Sequence, residues 1–209
     1  KIISTGGEGG MITTNNRSYW KICWEYKDHG RSWNILNSKK IDQKNSFKWI
    51  IGSFGTNNRL TEMQSKIGRI QLKKVKLWVK KRRQIANKIE KVAYKKSCIR
   101  KIYKPDNIYH AYYRYYLFIN TEKLCRGWNR DRIINEILNL GIPCFVGSCP
   151  EIYREKAFRR KKKIIKKRLF NAKELGETSI AFLVHPTMTK YEVENTCNVV
   201  DKILSKASV

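Results

Sequence analysis

The sequence predicts an α/β protein of two domains joined by a long helix. Between about residues 61 and 94, apolar side chains recur at steps of three, four and seven, which indicates a single amphipathic helix. After Pro105, strand-like and helix-like segments alternate, as is typical of an α/β layer domain. We therefore assign residues 1–95, with the long helix, to a first domain and residues 96–209 to a small C-terminal domain.

The first domain opens with a glycine-rich segment. Residues 11–14 follow the glycines and have the composition of a short strand. Residues 17–27 predict a short helix, whereas spaced glycines over residues 28–55 predict mostly loop. Thr61 and Gln64 have the spacing of a capping box, so the long helix is expected to begin there.

The second domain shows both strand and helix patterns. Residues 112–119, rich in aromatics, and residues 142–146 predict strands. Helices are expected after Asn129, over residues 169–176 and over residues 189–206, with apolar residues at helical spacing and cap signals at their starts.

Net charge is the most unusual feature of the composition. The 209 residues include 45 Lys and Arg against 17 Asp and Glu, a formal charge of +28. Such a charge suits nucleic-acid binding, but the basic residues are spread along the whole chain and no nucleic-acid-binding motif accompanies them. The densest run, residues 159–168, lies between two helical patterns and predicts a solvated loop. A basic nucleic-acid-binding module therefore stays as an alternative, and nucleic acid is not the expected partner.

The sequence favours neither a membrane protein nor a metal-binding protein. No apolar run approaches the ~20 residues of a membrane span. The six cysteines are scattered without a Cys-x-x-Cys pair, so neither a zinc site nor a disulfide framework is expected. We expect reduced thiols, a cytoplasmic location and no metal.

Lys1 is the first candidate for chemistry. It precedes a loop of small residues and then the strand expected over residues 11–14. Such a loop lets backbone N–H groups approach an anion or cofactor closely, and a lysine presented there can act as a Schiff-base nucleophile. On the residues alone, a plain hairpin turn is an equally open interpretation.

Four stretches of sequence support the hypothesis that Lys1 is a Schiff-base nucleophile. They are Lys-Ile-Ile-Ser-Thr-Gly-Gly-Glu-Gly-Gly-Met-Ile-Thr-Thr-Asn at residues 1–15, Lys-Asp-His-Gly at 27–30, Gly-Thr-Asn-Asn-Arg-Leu-Thr-Glu-Met-Gln at 55–64 and Val-His-Pro-Thr-Met-Thr at 184–189. Together they resemble the motifs of the DegT/DnrJ/StrS family of nucleotide-sugar aminotransferases. The resemblance implies the C-terminal part of a fold-type-I enzyme that depends on pyridoxal 5′-phosphate. The N-terminal half of a family member is expected to be absent, and residues 1–209 are expected to be inactive alone.

The resemblance also implies roles for particular residues. Lys1 would be the catalytic lysine that binds pyridoxal phosphate covalently. Asn57 and Arg59 would bind the cofactor phosphate of the partner subunit in a homodimer, and His29 would lie near the substrate. The implied reaction transfers an amino group, from glutamate, to a nucleotide-linked keto-sugar, in amino-sugar synthesis for surface polysaccharides or related glycans.

Two departures from the family pattern leave alternatives open. Thr56 and Asn58 stand where the family usually has tyrosines, and residues 141–150 lack its usual His-Tyr pair. Asn57 and Arg59 could instead be turn residues before a helix, and His29 could be structural. A non-catalytic remnant of the aminotransferase fold is a further alternative.

Overall fold

The computed structural model describes residues 2–38, 49–159 and 167–209. By its internal contacts the chain divides into two compact units, Lys1–Lys74 and Val75–Val209. The functional division at residue 95 stays a prediction.

Two short helices form the first unit together with the start of a long one. Helix α1 spans Arg17–Lys27, and its N-cap Asn16 accepts hydrogen bonds from the amides of the first turn. Helix α2 spans Trp33–Leu36. The ring of Trp33 meets those of Trp20 and Trp24 edge-on, with centroids 4.7 and 4.8 Å apart, so aromatic contacts hold α2 against α1.

Helix α3 spans Glu62–Ala93, close to the predicted extent. The Gln64 amide donates to the Thr61 hydroxyl oxygen at 3.3 Å, and the Thr61 amide donates to the Gln64 side-chain oxygen at 3.2 Å. This reciprocal pair is the predicted capping box, and it fixes where the helix begins. The helix starts in the first unit and ends in the second, where Val79, Ile85 and Ile89 are buried.

The second unit contains a four-stranded antiparallel sheet. Its strands are β1 (Ile99–Arg100), β2 (Tyr115–Ile119), β3 (Cys144–Phe145) and β4 (Ser179–Phe182), in the spatial order β1-β2-β4-β3. Tyr115 pairs with Phe182, and Phe118 pairs with Ser179. Strands β2 and β3 both run antiparallel to the β4 strand between them, so the connection from β2 to β3 forms a split β-α-β unit.

The second unit also contains the helices α4 (Arg130–Asn139), α5 (Lys156–Arg159), α6 (Phe170–Thr178) and α7 (Lys190–Ala207), with short 3₁₀ turns at Thr121–Lys123 and Ile152–Arg154. Of these helices, α4 and α6 contact strands of the sheet, and α7 packs against α4. Helix α4 begins at the predicted cap, Asn129, and α7 begins with a complete capping box. The largest side chains with almost no exposure are Ile89, Leu117, Ile133, Ile137, Ile180, Phe182, Ile203 and Leu204. Burial of each such side chain contributes about 1.5–3 kcal/mol, so this core is the main source of stability of the unit.

The strands of the structure differ from the predicted ones in several places. The two-residue strand β1 has no predicted counterpart, and β2 begins at Tyr115 rather than at residue 112. The strand expected over residues 11–14 is not formed, and Met11 and Ile12 are 84% and 75% exposed. A strand needs a neighbouring strand for its backbone hydrogen bonds, and no described segment pairs with this one. Strand β4 was not predicted: all four of its residues are buried, so the alternation of a half-exposed strand is missing. In the described part of the chain, no helix is long and apolar enough to cross a membrane.

Candidate active site

The glycine-rich segment forms a compact turn. The Thr5 hydroxyl lies 3.2 Å from the Gly7 carbonyl oxygen and 3.4 Å from that of Glu8, and the Gly6 amide donates to the Ser4 hydroxyl oxygen at 3.4 Å. Lys1 itself lies outside the described residues. The geometry of the site therefore begins with the segment that follows the lysine.

This glycine-rich segment lies against the start of α3. The Gln64 side-chain nitrogen donates to the Glu8 carbonyl oxygen at 3.0 Å. A Cβ at Gly6 would lie 3.0 Å from the Ile67 side chain, and a Cβ at Gly68 would lie 3.3 Å from the Thr5 side chain. Glycines on both sides thus permit the close approach. The segment after Lys1 is held at a helix N-terminus, where unpaired backbone N–H groups favour an anion.

A short backbone ladder joins the second and third motif stretches. The Thr56 amide donates to the Tyr26 carbonyl at 2.7 Å, the His29 amide to the Thr56 carbonyl at 3.0 Å and the Asn58 amide to the Lys27 carbonyl at 2.9 Å. Asp28 and Asn57 face each other as a bridge pair. Two motifs about thirty residues apart in sequence are therefore adjacent in space.

Gly30 makes this ladder possible. Its φ angle is +75°, and a Cβ there would overlap the carbonyl oxygen of Ser53. Its amide donates to the Glu25 carbonyl at 2.8 Å, and its own carbonyl accepts from the Gly52 amide at 2.9 Å. Glycine adopts the left-handed conformation without steric cost, which explains why the Lys-Asp-His-Gly stretch ends in glycine.

Asp28, Arg59 and Asn57 form a connected group of side chains. Asp28 is only 6% exposed. Its Oδ1 lies 3.2 Å from the Arg59 Nη1, and its Oδ2 lies 3.6 Å from the Arg31 Nη1. The Arg59 Nε donates to the Asn57 Oδ1 at 3.1 Å. The structure therefore brings Asn57 and Arg59 together, as a pair that shares a hydrogen bond.

His29 is joined to the ladder next to this group by its backbone, since its amide donates to the Thr56 carbonyl. Its φ angle is +62°, its side chain is exposed, and its imidazole makes no hydrogen bond or ion pair with other described residues. Asp28, by contrast, is a site residue that sequence reasoning missed. The available signal was an acid between Lys27 and His29, but its partner Arg59 is not predictable from spacing.

The arrangement suits a phosphate group. Arg59 donates a hydrogen bond to the side-chain oxygen of Asn57. The NH₂ group of Asn57 and the other N–H groups of the Arg59 guanidinium therefore remain as donors on an exposed surface. Charge-assisted donors of this kind bind phosphate oxygens well, and the adjacent helix N-terminus adds to the attraction. Fold and site together define an α/β protein with a group of exposed N–H donors near the start of its long helix.

The chain belongs to the DegT/DnrJ/EryC1/StrS aminotransferase family, whose model matches residues 1–201. The family predicted from the four motif stretches is therefore confirmed. Fold-type-I architecture is confirmed with it, because the similar solved structures are aminotransferases of that fold.

Three relatives show how far the likeness extends. The solved aminotransferase from Psychrobacter cryohalolentis is 43% identical, with a TM-score of 0.89 over 98% of this chain and 53% of that one. An uncharacterised protein of Methanocaldococcus jannaschii is 31% identical over 97% of this chain and 51% of its own length. The Helicobacter pylori aminotransferase involved in pseudoaminic acid biosynthesis shares the fold, with 20% identity and a TM-score of 0.73 over 92% of this chain and 47% of that one. The chain thus spans about half the length of these relatives.

Proposed function

We propose that the full-length protein containing this chain is an aminotransferase that depends on pyridoxal 5′-phosphate. Its substrates would be glutamate, as amino donor, and a nucleotide-linked keto-sugar. The observation that carries the proposal is that the segment following Lys1 contacts the helix start that follows Asn57 and Arg59. The segment that the resemblance assigns to this chain's own cofactor therefore lies beside the pair that it assigns to the partner subunit's cofactor, as is expected if both sites lie at the dimer interface.

The residues present fit the cofactor. Its phosphate needs N–H donors and positive charge, and Asn57, Arg59 and the α3 N-terminus offer both. When bound, pyridoxal phosphate supplies the electron-withdrawing ring that makes the substrate carbon acidic. We propose that Lys1 is its covalent attachment point.

Lys1 would then have a second task. When its side-chain amine is free, Lys1 would take the proton from the substrate carbon and deliver it to the C4′ carbon of the cofactor. General acid–base catalysis of this kind is efficient because the amine is already positioned beside the reacting atoms.

The two tyrosine replacements are compatible with this proposal. Thr56 contributes its amide and carbonyl to the ladder, and Asn58 contributes its amide. These bonds involve backbone atoms, so the ladder that places Asn57 forms without the tyrosine side chains. We propose that the replacements alter the substrate rather than the cofactor site, and that the product is an amino-sugar for a surface polysaccharide or related glycan.

Asn57 and Arg59 would serve the partner subunit's cofactor in a homodimer. Mixed dimers test this arrangement together with the reaction. Chains carrying Lys1→Ala and chains carrying Asn57→Ala should each have little activity with glutamate and a keto-sugar nucleotide. In a mixed dimer, one site receives both wild-type residues, because Lys1 and Asn57 of one site come from different chains.

Random mixing should therefore restore about a quarter of the wild-type sites, since half of the dimers are mixed and each has one intact site. Mixing Lys1→Ala with Lys1→Arg chains is the matched control and should restore none. Absence of restoration in the test mixture would refute the cross-subunit role. Full turnover by Lys1→Ala alone would refute the reaction assigned to Lys1.

A further inference from the structure

We propose that Asp28 is a positioning residue for the cofactor phosphate. Its buried carboxylate would hold the Arg59 guanidinium, and through Arg59 the Asn57 amide, in the orientation in which both donate to phosphate. This inference rests on the proposed function and extends it to a residue that does not itself touch the cofactor.

The backbone fixes Asp28 firmly. It is the C-cap of α1, and its amide donates to the Glu25 carbonyl at 3.2 Å. It also faces Asn57 across the bridge of the ladder. With its side chain 9% exposed, the carboxylate has little freedom to move away from Arg59.

The charge of Asp28 requires a partner. Within the described residues its Oδ1 is buried and accepts no hydrogen bond, so the guanidinium of Arg59 at 3.2 Å compensates that oxygen. A buried carboxylate without a compensating charge is strongly unfavourable. Arg59 has a side chain that is 45% exposed, so its ion pair with Asp28 and its hydrogen bond to Asn57 are what restrain it.

Restraint of Arg59 determines which way the Asn57 amide faces. Because Nε donates to the Asn57 Oδ1, the amide oxygen is directed to Arg59 and the NH₂ group is left for an anion. Without Asp28, Arg59 loses its anchor and the amide can rotate to present its oxygen, which repels phosphate. Amide orientation is therefore the link between Asp28 and the cofactor.

A simple electrostatic view makes the opposite prediction. Asp28 is negative, as the phosphate is, so removing its charge should strengthen phosphate binding if Coulomb attraction alone decided affinity. The positioning role predicts weaker binding. The sign of the effect of Asp28→Asn thus separates the two.

The test measures the affinity of the full-length apo-protein for pyridoxal phosphate and for pyridoxal, which lacks the phosphate. Asp28→Asn should weaken pyridoxal phosphate binding about tenfold, the loss expected for one charge-assisted hydrogen bond, and leave pyridoxal binding unchanged. Asp28→Glu, which keeps the charge, should recover part of the loss. Asp201→Asn is the matched control: it removes an acid paired with Lys96 at 2.7 Å in the second unit and should change neither affinity.

Unchanged or tighter binding of pyridoxal phosphate by Asp28→Asn would overturn the proposal. An equal loss for both ligands would overturn it as well, because it would indicate general damage. Crystal structures of the wild type and the variant give a second readout: Arg59 should stay on Asn57 in the first and leave it in the second, and retention in the variant would refute positioning. If the wild type bound no pyridoxal phosphate, the proposed function would fail, and the crystal comparison would still decide the role of Asp28.

Discussion

Gly30→Ala should break the ladder that places Asn57 beside Asp28. Alanine at φ +75° costs about 1 kcal/mol relative to glycine, because its Cβ crowds the backbone in the left-handed region. The added Cβ would also overlap the Ser53 carbonyl oxygen, which is backbone and cannot rotate away. Overpacking of this kind adds about 1–3 kcal/mol, so the local loss should be about 2–4 kcal/mol.

Gly141→Ala is the matched control. Gly141 has φ +78°, but a Cβ there meets nothing within 4 Å. It should therefore cost only the backbone penalty of about 1 kcal/mol. The difference between the two variants isolates the steric contribution at Gly30.

Hydrogen exchange measured by mass spectrometry on the full-length protein is the assay. In Gly30→Ala, peptides covering residues 26–31 and 50–58 should lose protection, since the His29, Gly52 and Thr56 amides bond within this ladder. Peptides from β2 and β4 should keep theirs. If Gly30→Ala lost no more local protection than Gly141→Ala, the account of how the site is assembled would be refuted.

Two further predictions concern titratable groups in the second unit. Hydrogen bonds from Arg168, and secondly from Tyr153, lower the pKa of Glu151 to about 2. The stability that these bonds give the folded protein should therefore be complete above the ordinary carboxyl pKa and lost as the pH falls toward 2. An NMR titration of the Glu151 carboxyl group should give this low pKa, and Arg168→Gln should return it toward about 4.3. A wild-type pKa near about 4.3 would contradict the ion pair between Glu151 and Arg168. Burial raises the pKa of the Cys144 thiol to about 12, so iodoacetamide at pH 8 should alkylate it only after unfolding. Alkylation of Cys144 in the folded protein as fast as exposed Cys149 would contradict the burial of Cys144.

Features that depend on neighbours in sequence were predictable. The caps at Thr61, Asn129 and Thr189 involve residues up to three positions away, so the helix starts follow from local chemistry. Features that depend on distant partners were not. Strand β4 is recognisable only once β2 and β3 flank it, and residues 11–14 were assigned as a strand without knowledge that no described segment pairs with them.

The site shows the same division. Asn57, Arg59 and His29 came from a resemblance to a family, and the structure shows that the backbone of one motif pairs with that of another. The importance of Asp28 could not be read from the sequence, because it arises from burial and from an arginine 31 positions further along the chain. Burial and long-range charge pairing are properties of the folded chain.

We propose that Lys1 binds pyridoxal phosphate in an enzyme that uses the surrounding motifs for catalysis. Borohydride reduction of the full-length protein, followed by proteolysis and mass spectrometry of the peptides, tests it most directly, because reduction converts the lysine–cofactor bond to a stable amine. We predict one labelled site per subunit, on Lys1, and no label in Lys1→Ala. A label on any other lysine, or no label on the wild-type protein, would contradict the account.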